Sequence, residues 1–135
     1  PQPGLCSLPA LVDQVRAAGT PVRLSIEGQP LALPASVDLS AYRIVQEALT
    51  NTIKHAGPGA CADVRLVFTP DWIEVEITDD GAGHPGTRGP DGNGLRGITE
   101  RVDMLGGEVA IGPGGQGFRV WALLPVQGRG DGVRA

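Results

Sequence analysis

Three groups of residues in this sequence have types and spacings that could do chemistry. The first is Glu47, Asn51, Lys54 and His55, placed i, i+4, i+7 and i+8 within LSAYRIVQEALTNTIKHA, residues 39–56. At that spacing a helix carries all four on one face. They supply a proton acceptor, a neutral oxygen and a cationic donor. Such a set suits a magnesium–phosphate group, since Mg²⁺ takes oxygen ligands and lysine meets phosphate as a point charge. The same pattern also fits a solvated amphipathic helix. The second group is Asp79-Asp80-Gly81-Ala82-Gly83 at the end of an alternating apolar run. An acceptor followed by glycines could bind an exocyclic amino group while the backbone approaches closely, and an ordinary strand-end turn is the competing reading. The third is Gly92-Asn93-Gly94-Leu95-Arg96-Gly97, whose amides could form a phosphate site at a helix entry.

The third group matches G-x-G-x-x-G, but HPGTRGPDG precedes it instead of a strand, and the next acidic residues come too soon for a dinucleotide fold. Lys54 lacks the context of a P-loop lysine. His55 and His84 read as surface histidines, and Arg129-Gly130-Asp131 as a chance tripeptide.

The elements that must position these groups follow from periodicity. LPALVDQVRAA, residues 8–18, has helical spacing and a stop at Gly19, and residues 21–28 alternate as a strand. Residues 29–37 read as a short strand or an irregular segment. The long helix is expected over 39–56, with Asp38 as N-cap and Gly57-Pro58 as stop. Tyr42, Val45, Leu49, Ile53 and Ala56 are its expected apolar face, opposite the polar set. Residues 61–68 and 72–78 form an expected antiparallel hairpin across Thr69-Pro70-Asp71. A helix is expected over 98–105, then strands over 108–112 and 117–124.

Composition bounds the reading. The 135 residues include 21 glycines and 12 prolines, yet 41% are hydrophobic and 19% charged, which supports one packed domain. Seven of the glycines fall between Asp79 and Gly97, a stretch without apolar periodicity. A net charge of −4 argues against a broad nucleic-acid face, and Lys54 is the sole lysine. Cys6 and Cys61 match no metal spacing and read as reduced, small apolar residues. No run is long enough to span a bilayer and no signal peptide is evident, so a cytoplasmic domain is expected. A chain that starts with proline reads as an excerpt of a longer protein, and a parent anchored in the cell membrane stays open.

The order of the motifs resembles the ATP-binding catalytic domain of bacterial sensor histidine kinases, in the superfamily that also holds gyrase, heat-shock-90 and MutL ATPase domains. The resemblance rests on the helix with Glu47, Asn51, Lys54 and His55, on Asp79-x-Gly81-x-Gly83, on Gly92-x-Gly94-Leu95-x-Gly97-Ile98, and on Gly115-x-Gly117. QEALTNTIKHA, residues 46–56, and GLRGITERVDMLGG, residues 94–107, are similar to the subfamily paired with helix-turn-helix response regulators.

The resemblance implies an α+β fold, a mixed sheet packed on a helical layer. ATP would lie between the long helix and a mobile lid over about 80–97, the domain over 8–125, with 1–7 a linker and 126–135 a flexible tail. Asn51 would ligand Mg²⁺, and Glu47 would act as base or polarise the water around the metal. Lys54 and His55 would meet the phosphates, and Asp79 would accept from the adenine amino group. Gly81 and Gly83 would allow close approach, while Gly92, Asn93, Gly94, Leu95 and Gly97 would shape the lid. Phe118 departs from the small hydroxyl residue that many relatives carry. The phosphoaccepting histidine would belong to a separate dimerisation domain, with a response regulator downstream, no nucleic-acid or membrane partner, and a monomeric isolated domain. The alternatives are an anti-sigma-factor serine kinase of the same fold and a nucleotide-sensing module that transfers nothing.

Overall fold

The computed structural model describes residues 2–30, 32–81, 93–114 and 117–126. After a 3₁₀ turn at Leu5–Ser7, the elements run α1 (Leu8–Ala17), β1 (Val22–Glu27), α2 (Ala35–His55), β2 (Ala62–Phe68), β3 (Trp72–Asp79), α3 (Asn93–Met104), β4 (Glu108–Gly114) and β5 (Gly117–Pro125). The strands form one mixed sheet in the order β1-β2-β3-β5-β4. β1 and β2 are parallel, with α2 as the crossover, and every other pairing is antiparallel. The fold is α+β, a sheet covered on one face by helices, as expected.

Period-two alternation decides which face is covered. Val64, Leu66, Ile73, Val75, Ile77, Val120, Ala122 and Leu124 all point inward and are buried. They meet Leu8 and Val12 of α1, Ile44, Val45 and Leu49 of α2, and Leu95, Ile98 and Val102 of α3 in one core. Each fully buried aliphatic side chain of this kind contributes about 1.5–3 kcal/mol. The outer face carries a charged ladder in which Arg65 reaches Glu27, Glu74 and Glu76, and Arg119 reaches Glu76. The hydrogen bond to Glu27 raises the Arg65 guanidinium further above its ordinary value, although the pair is exposed.

Five local expectations are corrected. α2 starts at Ala35, so part of the segment read as strand or irregular is helical. Asp38 therefore sits in the first turn, and Pro34, in an extended conformation, takes the N-cap position. Burial of Val37 draws that turn onto the core. Asp38 still serves the helix start, where a carboxylate suits the dipole; it accepts the Leu5 N–H at 2.9 Å. That bond ties the stretch expected as a linker to α2.

The apolar stripe of α2 is also rotated. Ala41, Ile44, Val45, Ala48, Leu49 and Thr52 are buried, whereas Ile53 is 47% exposed and Tyr42 is only partly buried. The helix expected over 98–105 begins at Asn93, because Leu95, Ile98 and Val102 form a buried stripe through the glycines. Finally, Cys6 and Cys61 are free and exposed rather than packed as small apolar residues.

Candidate nucleotide site

The rotation of the α2 stripe moves the polar set from the back of the helix to its flank, beside the core. Glu47, Asn51 and His55 are partly buried there, and Lys54 at the end of the helix is exposed. Asn51 Nδ2 is a buried atom with no hydrogen-bond partner among the described residues. An orphaned buried amide costs about 1–3 kcal/mol, so its presence points to a missing partner. Oxygen and nitrogen of such an amide are assigned by their neighbours, so either end can turn to meet a ligand. A neutral oxygen donor at this position fits Mg²⁺, which binds through few protein ligands and keeps waters and phosphates as the rest. Among the described residues no three His, Cys, Asp or Glu side chains cluster as a metal cage.

Asp79 ends β3 on the inward face and is 6% exposed. Thr52 Oγ1 lies 3.1 Å from its Oδ2, and the Gly81 N–H donates to its Oδ1 at 3.0 Å. The backbone is crowded around this carboxyl group. A Cβ on Gly81 would collide with the Ala56 backbone at the end of α2, and one on Gly117 with the Asp79 carbonyl. Thus two glycines let α2, β3 and β5 converge on one buried acceptor. Phe118 stands opposite Asp79 in the β3–β5 register and is itself buried. The neighbouring Asp80 turns the other way and accepts the Cys61 N–H at 2.7 Å, which pins the start of β2.

The remaining expected positions divide. Asn93 and Gly94 open α3, Gly97 is in its first turns, and Leu95 is 4% exposed in the core, anchoring that helix. Gly83, Gly92, His84 and Gly115 lie outside the described residues, as do 82–92 of the expected lid and 127–135 of the expected tail. The structure therefore joins Asp79 to α2 through Thr52, the sequence neighbour of Asn51 and a residue that sequence reasoning passed over. Its only sequence signal was a hydroxyl next to Asn51, and hydroxyls are common on helices. A cleft of about 690 Å³ lies on the outer side of the sheet. Among its lining charges, Arg23 pairs with Asp63 and Arg119 with Glu76, and Asp80 accepts the Cys61 N–H. Asp79 also lines this cleft, while its Oδ2 is bonded to Thr52 on α2.

Comparison with known proteins identifies the family. Residues 36–128 match the family described as histidine kinase-, DNA gyrase B-, and HSP90-like ATPase, and the chain belongs to that family. Sensor histidine kinase LnrJ of Bacillus subtilis is 34% identical over 126 residues, covering 85% of this chain and 31% of that protein. Sensor histidine kinase YxjM of the same organism is 37% identical over 128 residues, covering 91% of this chain and 30% of its own length. The chain thus spans about a third of these relatives, and it corresponds to the ATP-binding catalytic domain of sensor histidine kinases. The histidine kinase domain of the Erythrobacter litoralis EL346 blue-light activated kinase has the same fold, with a TM-score of 0.72 at 22% identity, over 90% of this chain and 60% of that one. The mycobacterial sensor histidine kinase MprB gives 0.64 at 23% identity, over 90% and 94%. Among the described residues no helix is long and apolar enough to cross a membrane.

Proposed function

We propose that this domain binds Mg·ATP and supplies its γ-phosphoryl group to a histidine on a separate dimerisation domain of a longer parent protein. The observation that carries the reading is the pairing of a buried, oriented acceptor, Asp79, with an unpartnered buried amide, Asn51, on adjoining elements. Asp79 accepts from the adenine amino group, which selects adenine because a 6-oxo purine offers no donor there. Asn51 holds the magnesium ion, and Mg²⁺ supplies charge neutralisation between the phosphates when bound. Lys54 and His55, in the last turn of α2, meet the phosphates, with the amides at the start of α3 as further donors.

Phosphoryl transfer asks little covalent chemistry of the protein beyond positioning and charge stabilisation. The bond from the γ-phosphorus to the bridging oxygen breaks, ADP leaves, and a bond to the acceptor imidazole nitrogen forms. Glu47, one turn before Asn51, receives the displaced proton or orders the solvent around the metal. The named relatives are sensor kinases, which favours this reading over an anti-sigma-factor serine kinase. A response regulator is the expected next acceptor.

Calorimetric titration tests the binding half. Replacing Asp79 with Asn should weaken ATP binding about 10- to 100-fold, the scale of a buried partner lost. Asn51→Ala should abolish most of the magnesium dependence. Unchanged affinity and metal dependence in both variants would overturn the assignment.

A further inference from the structure

Thr52 is 3% exposed and lies one residue past Asn51, turned onto the sheet. Its Oγ1 has two acceptors in range, Asp79 Oδ2 at 3.1 Å and the Ala48 carbonyl at 3.2 Å. A hydroxyl carries one proton. The Ala48 carbonyl, inside α2, is the natural acceptor of the helical N–H four residues on. The carboxylate gains more from the proton, because hydrogen bonds to charged groups are the stronger ones. The Gly81 N–H holds the other oxygen. With a donor on each oxygen the carboxyl plane is fixed in rotation, and a carboxylate offers about four lone-pair sites in all. Phe118, the register partner of Asp79 on β5, has no hydroxyl to contribute.

We propose that Thr52 is a positioning residue for nucleobase selection. Its hydroxyl sets the orientation in which Asp79 offers a lone pair to the adenine 6-amino group. The inference rests on the proposed role of Asp79 and adds that the preference for a 6-amino purine runs through a side chain that does not touch the nucleotide itself.

The test compares ATP with purine riboside triphosphate, which lacks the 6-amino group, by calorimetry with magnesium present. The wild-type chain should prefer ATP. Thr52→Val keeps the shape and removes the proton; it should lower ATP affinity about tenfold and leave the analogue within about twofold, a loss on the scale of one hydrogen bond to a charged group. Thr52→Ser should restore the preference, and Thr52→Ala should repeat the valine result if the valine variant folds poorly. A Thr52 that serves packing alone would lower both affinities together and leave their ratio intact. An unchanged ratio in the valine and alanine variants, beside a wild-type preference for ATP, would overturn the role of Thr52 alone. Absence of any preference in the wild type would overturn the role of Asp79 as well.

Discussion

Asn51 and Thr52 are neighbours on α2 in opposite circumstances. The amide has a buried atom without a partner among the described residues, while the hydroxyl has two acceptors for one proton. In the proposed site, one would receive a ligand and the other would hold a protein group still. Glu47, Asn51, Lys54 and Asp79 could be singled out in the sequence because the order of their motifs resembles that of the family. Thr52 was not, because its role exists only once α2 lies across β3. Glu47 belongs at this scale too. If it serves the proton rather than the nucleotide, Glu47→Gln should keep Mg·ATP affinity within about twofold. The same change should slow transfer to a supplied dimerisation domain about 10²–10⁴-fold, the range of general acid–base contributions. Affinity by calorimetry and transfer by radiolabel separate the two, and equal losses in both would remove Glu47 from the chemical step.

Elements were read more surely in kind than in extent. Alternation located the β2–β3 hairpin closely, since inward residues 62, 64, 66 and 68 leave no other register. Helix boundaries moved because burial overrode local signals. Val37 drew the α2 start before Asp38, and Leu95 drew the α3 start through Gly94 and Gly97, where a helical glycine costs about 1 kcal/mol relative to alanine. The meeting of elements gives a prediction of its own. Gly81 lies against the end of α2, so Gly81→Ala should force α2 and β3 apart and destabilise the fold by about 1–3 kcal/mol. Urea unfolding measures this, and wild-type stability would mean that the contact relaxes freely. The β1–α2–β2 crossover has a parallel pair at the sheet edge, which sequence periodicity cannot distinguish from an antiparallel one.

For the whole molecule, motif order told more than any motif. The helix, the acidic strand end, the glycine-rich stretch and the final hairpin define the family only in sequence, and the sheet order confirms the frame that carries them. Neither histidine of this chain has a context suited to phosphoryl acceptance. Incubated with labelled ATP, the chain by itself should therefore gain no acid-labile phosphate, and stable label on His55 or His84 would contradict the proposed division of labour. The two-layer build has an optical consequence. Trp72 and Trp121, the only tryptophans, both project from the outer face of the sheet, with the Trp121 indole N–H donated to Glu74 and Arg119 over its ring. The helix-covered side, where the nucleotide is proposed to bind, holds no indole. Intrinsic tryptophan emission should thus stay nearly constant through an ATP titration and shift strongly on denaturation, making it a gauge of folding that is blind to ligand, and a large nucleotide-dependent change would show that the sheet itself responds to the site.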